Sequence, residues 1–154
     1  LLSVLTKAKP KIANYPFTTL NPNLGVTSYN NKEVTIADIP GLIEGAHEGI
    51  GLGDKFLRHI ERCKSLVHLI DITDKNILEN YLKIRKELLK YSEKLLKKKE
   101  IIVFNKIDIL NSNEIEDKIS SFKKKIKKPV YKISVAHNKG LTIIKKLMVN
   151  NVHK

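Results

Sequence analysis

A chain of 154 residues, 42% hydrophobic and 29% charged, is long enough to bury one core and too apolar to be disordered. No apolar run approaches the roughly 20 residues of a bilayer span, and Cys63, the only cysteine, excludes an intrachain disulfide and fits a reducing, cytoplasmic setting. The net charge of +13 attracts polyanions such as nucleic acid, while the lysine, Asn and Ile content also describes an ordinary solvated surface.

Leu1, Leu2, Leu5 and Ala8 recur at near-helical spacing and stop before Pro10, which predicts an initial helix. Residues 11–23 read as an irregular loop. Strands are predicted over 24–29 and 33–37, joined by Asn30 and Asn31, which tolerate the positive φ of a tight hairpin turn. Gly41, Gly45, Gly49, Gly51 and Gly53 then crowd into thirteen residues, a composition suited to a mobile loop. A helix is expected over 54–64. Residues 66–72 form an apolar run broken only by His68, as in a strand covered on both faces. Residues 77–97 read as one long amphipathic helix. Residues 101–104 read as a strand, 115–126 as a helix, 130–135 as a strand and 141–149 as a last helix. Alternation of this kind predicts an α/β sandwich with a mainly parallel sheet, in which ligands sit beyond the carboxyl ends of the strands.

Three loops leaving strands carry chemistry. In Asp38-Ile39-Pro40-Gly41, an Asp at a strand end can hold Mg²⁺ through water and Gly41 can bring its N–H to a terminal phosphate, although the same four residues also make a plain turn. Asn105-Lys106-Ile107-Asp108 is more telling. A carboxylate at Asp108 accepts from guanine N1–H and the 2-amino group, a donor pair adenine lacks; Asn105 can tie loops together, and Lys106 can lay its stem over the base. Ile133-Ser134-Val135-Ala136 can aim backbone N–H groups at guanine O6, and its value lies in coming third in this order.

That order resembles the G domain of the translation-factor class of P-loop GTPases. Asn14-Tyr15-Pro16-Phe17-Thr18-Thr19-Leu20, Pro22-Asn23-Leu24-Gly25-Val26, Asp38 through His47, Gly51-Leu52-Gly53 and Phe56 through Cys63 look like the Obg family over essentially the whole chain. The resemblance implies a P-loop NTPase-like three-layer sandwich that binds GTP or GDP with Mg²⁺. Thr18 and Thr19 would lie on switch I, with Thr19 the Mg²⁺ ligand, and Phe17, Thr18, Thr19, Leu20 and Asn21 along the nucleotide. Asp38, Ile39, Pro40 and Gly41 would begin switch II, and Asn105, Lys106, Ile107, Asp108, Ser134, Val135 and Ala136 would surround the base. It also implies a monomeric role in assembly of the large ribosomal subunit and contact with its RNA.

Leu42 stands where Ras-like enzymes place a glutamine, so hydrolysis is expected to be slow unaided. Val135 stands where an alanine is usual. No G-x-x-x-x-G-K-[ST] occurs, and the chain is expected to be a partial G domain, cut before the first strand and P-loop, that binds GTP weakly alone. The rival reading is a basic RNA- or ribosome-binding module without nucleotide hydrolysis. His59 with Cys63, His47, and Arg58 with Arg62 read as ordinary surface residues before they read as a metal pair, a base or an arginine finger. The run Lys123-Lys124-Lys125-Ile126-Lys127-Lys128 reads first as a solvated helix end suited to the negative dipole terminus, and second as an RNA contact.

Overall fold

In the computed structural model, which describes residues 1–6, 11–12, 23–38 and 60–153, the strands form two three-stranded sheets. A short helix α1 (Leu2–Leu5) precedes β1 (Lys11–Ile12), β2 (Asn23–Tyr29) and β3 (Lys32–Asp38), which pair antiparallel in that order. Asn30 and Asn31 have φ of 49° and 59°, the left-handed pair a two-residue hairpin needs, and they set Tyr29 opposite Lys32. Gly25 lets α1 approach: a Cβ there would run into the Thr6 side chain, and Thr27 Oγ1 donates to Leu5 O at 2.7 Å beside it.

After a helical stretch at 60–62, the chain builds a parallel sheet from β4 (Ser65–Asp71), β5 (Lys99–Asn105) and β6 (Val130–Lys132). The crossovers are α2 (Ile77–Tyr91) with α3 (Glu93–Leu96), and α4 (Ser112–Ile126). The final helix is α5 (Leu141–Val152). Apolar spacing predicts one helix over 77–97, but Ser92 is extended at φ −163° and its Oγ accepts from Lys94 N, ending α2 and capping α3. Asn111 and Glu114 close a capping box that starts α4.

β5 shows why the sheet is covered on both faces. Ile101 and Val103 point into a cluster with Ile133, Ile144, Met148 and Val149, while Ile102 and Phe104 point into another with Tyr81, Ile119 and Phe122. Helix α5 thus lies on one side and α2 with α4 on the other, giving three layers. The first cluster also takes in Leu5 and Val34, so α5 packs against the antiparallel sheet as well. The expected α/β sandwich is present, with its described strands divided between one parallel and one antiparallel sheet.

Candidate functional site

Parallel pairing in register, Asp71 beside Asn105 and Phe104 beside Lys132, brings the carboxyl ends of β4, β5 and β6 to one end of the molecule. Backbone bonds lace the three exits together. Ile72 N donates to Asn105 O at 3.1 Å, Ile133 N to Phe104 O at 2.8 Å, and Ile107 N to Ile133 O at 3.4 Å.

Asn105 Oδ1 accepts from Val135 N at 3.1 Å, so the amide does join two loops, as its position in the motif predicts. Lys106 takes φ of 66°, uncommon for a residue with a Cβ, and its Nζ lies 2.6 Å from Asp71 Oδ2. That pairing draws the lysine stem across the loop toward the end of β4. Ile107 is half-buried against the core and anchors the loop from below.

Asp108 faces solvent with one oxygen already oriented. The buried Ser134 hydroxyl donates to its Oδ1 and in turn accepts from His137 N at 3.1 Å. The His137 ring lies 3.6 Å from Asp108 Oδ2. The Ser134 hydroxyl bond holds the Asp108 carboxyl below its usual range, with the partial burial of the group opposing it. Each carboxylate oxygen has two lone pairs, so Oδ1 can accept from Ser134 and still meet a second donor, while Oδ2 meets another. A fixed anion with two free acceptor directions suits the adjacent donors of guanine.

The loop 134–139 contains one amide positioned differently from its neighbours. Ser134 N and Lys139 N bond each other's carbonyls, Val135 N goes to Asn105, His137 N to Ser134 Oγ, and Asn138 N to Val135 O. Ala136 N takes part in none of these bonds. Of the backbone N–H groups in the 133–136 loop, that of Val135 is therefore a loop tie.

Asp38 ends β3, exposed and opposite Asn23, with no described contact to these loops. Phe17, Thr18, Thr19, Leu20 and Asn21, with Ile39, Pro40 and Gly41, lie outside the described residues, as do Leu42 and His47. His59, the partner considered for Cys63, lies outside the described residues, as does Arg58, and Cys63 joins no cluster that could hold a metal among those described.

Sequence reasoning missed Asp71 and Thr73. Thr73 donates from its N at 2.9 Å and its Oγ1 at 2.7 Å to Asp71 Oδ1, leaving Oδ2 for Lys106. Burial raises the Asp71 pKa, but the bonds from Lys106 and Thr73 outweigh it and hold the group at about 2. The signal was available: Asp71-Ile72-Thr73 leaves an apolar strand at the same end as the other site loops.

Residues 1–106 match the 50S ribosome-binding GTPase family. The chain is 54% identical over 152 residues to the GTPase Obg of Pelagibacter ubique (strain HTCC1062), covering 99% of this chain and 46% of that protein. It is 56% identical over 146 residues to the GTPase Obg of Rickettsia prowazekii (strain Madrid E), covering 95% and 44%. The chain thus spans just under half the length of the curated relatives it matches. In fold it is similar to the G domain of the T. maritima FeoB iron transporter, with a TM-score of 0.65, 20% identity, and coverage of 97% of this chain and 87% of that one. With three loops joined at the carboxyl ends of its parallel strands, and with these likenesses, the chain belongs to the 50S ribosome-binding GTPase family as a G domain of the Obg type.

Proposed function

We propose that the protein carrying this chain is a guanine-nucleotide switch that binds GTP with Mg²⁺, hydrolyses it to GDP and phosphate, and acts in assembly of the large ribosomal subunit. The observation that carries the reading is the Asp108 carboxylate held by Ser134, in a loop tied to the Val135 amide through Asn105. Asp108 reads the base edge, Lys106 covers its face, and Ala136 N–H donates to O6. The donor set is right for guanine and wrong for adenine, whose N1 would meet the carboxylate with a lone pair. Mg²⁺, when bound, supplies charge neutralisation at the phosphates; Thr19 would ligate it directly and Asp38 through water. The ribosomal role is supported by the family description and the Obg relatives. A module that merely binds RNA would have no use for an oriented carboxylate in a guanine-reading loop.

The test is a base swap in the complete natural protein. Asp108→Asn converts an acceptor into a donor and should lower GDP affinity at least about 100-fold while raising that for XDP, whose 2-oxo group presents an acceptor. Competition titration of GDP against XDP reads the outcome, and unchanged preference for guanine would strip Asp108 of its role as reader of the base edge.

A further inference from the structure

The molecule concentrates its surplus lysines at one pole of the parallel sheet. In a parallel sheet all strands begin at one end and finish at the other, so the connections alternate between two poles. Where β4, β5 and β6 finish, acids and lysines are mixed: Asp71, Asp74, Asp108 and Glu114 stand with Lys75, Lys106, Lys132 and Lys139. Where they begin, lysines gather: Lys64 just before β4, residues 97–99 at the junction of α3 and β5, and residues 123–128 at the end of α4. Contacts join these segments. Ser65 lies opposite Lys99, Lys98 Nζ donates to Glu61 O at 2.8 Å and Cys63 O at 2.6 Å, and Lys64 Nζ reaches Val152 O at 3.2 Å. Lys128 Nζ reaches Glu100 Oε2 at 2.9 Å.

Helix ends explain part of this. Cations near a helix C-terminus are favoured, within the last turn. The end of α4 exceeds that need: Lys123, Lys124 and Lys125 occupy its last turn, Lys127 caps it and Lys128 follows. Such neighbours repel one another, so the surplus works against the fold until a polyanion covers it. The nearby acid Glu100 has a buried, already paired side chain, whereas Lys97, Lys99, Lys124 and Lys125 are exposed. A membrane-binding surface would set large exposed apolar residues among the lysines, but Ile126, the apolar residue within the run, packs into the core. RNA needs only phosphate contacts.

We propose that this basic pole is an RNA-backbone surface, placed opposite the guanine loops so that nucleotide and RNA are held together without competing. The inference deepens the proposed function and rests on it for the kind of partner. In the complete natural protein, Lys97, Lys99, Lys124 and Lys125 are changed together to Gln, and a second variant changes Lys75, Lys118, Lys132 and Lys146, which lie away from this pole, likewise. Binding to a fluorescent RNA duplex is followed by anisotropy between about 50 and 200 mM salt, with a GDP titration on each protein. The pole variant should bind RNA at least about 10-fold more weakly, with a log–log salt slope shallower by roughly 3, and should bind GDP as the parent does. The second variant should keep the parental slope. Equal losses in both variants, an unchanged pole variant, or parental protein captured by phosphatidylserine vesicles but not by RNA would each overturn the proposal. Failure of the parent to bind GDP would instead sink the guanine reading and leave the RNA result standing.

Discussion

Asp71 is to Lys106 what Ser134 is to Asp108: a neighbour that fixes a charged group before the nucleotide arrives. Both oxygens of Asp71 are engaged, one by Thr73 and the other by Lys106, so the lysine stem is held over the loop. Asp71→Asn keeps the shape and removes the charge. It should weaken GDP binding roughly 5-fold, the worth of one half-exposed charged hydrogen bond, and lower the melting temperature modestly, because a carboxylate held below its unfolded pKa lends stability at neutral pH. Titration calorimetry with Asp71→Glu alongside checks this; parental GDP affinity in Asp71→Asn would show that Lys106 holds its place unaided. Gly140 belongs to the same scale. Its φ of 76° and the Lys132 carbonyl beside it leave no room for a Cβ, so Gly140→Ala should cost about 1–3 kcal/mol by denaturant unfolding.

At the scale of the element, β5 begins with a buried ion cluster. The Glu100 side chain is 3% exposed and meets His68 Nδ1 at 3.2 Å, Lys128 Nζ at 2.9 Å, Tyr81 Oη at 2.9 Å and Arg85 at 3.5 Å. Burial pushes its pKa up, but the bonds from His68 and Lys128 and the Arg85 charge outweigh that and hold it at about 2. Burial, with the Glu100 charge, raises the Tyr81 pKa. A carboxylate depressed on folding lends stability above its unfolded pKa of about 4.3 and loses it as pH falls toward 2. Glu100→Gln should therefore cost about 3 kcal/mol at pH 7 and flatten the acid limb of stability between about pH 4.5 and 2, read from urea midpoints across that range. An acid limb as steep as the parent's would assign the acid sensitivity elsewhere. The elements themselves were legible where one periodicity ruled, as in residues 101–104 and the Asn30-Asn31 hairpin. They were not where a side chain competed with the backbone. Ser92 sits within a helical pattern of apolar spacing, yet its hydroxyl offers Lys94 N a better partner and breaks the helix. Likewise 130–135 reads as one strand, but β6 stops at Lys132 because Ser134 turns to pair with Lys139. In the site, motif spacing singled out Asn105, Lys106 and Asp108; Asp71 matches no such motif, and its signal, an acid leaving an apolar strand, gains meaning only once β4 is seen to lie next to β5.

For the whole molecule, the decisive element is α5. Its residues Ile144, Met148 and Val149 share one cluster with Val34 of the antiparallel sheet and with Ile101 and Val103 of the parallel one. Ile144 is fully buried, and Ile144→Ala should cost about 2–5 kcal/mol. Because the cavity would open between the sheets, hydrogen exchange should accelerate in β3 and β5 together; loss of protection confined to one of them would mean that the sheets hold together by other contacts.

Helix α5 also begins directly after Gly140, at the end of the loop that ties Val135 to Asn105. Its far end runs back past the hairpin, where His153 Nε2 meets Glu33 O at 2.6 Å. It is a tiller fixed to loop 134–139 at one end and gripped by the hairpin at the other. A few degrees of swing in the hairpin would be carried along this helix to the loop at its other end.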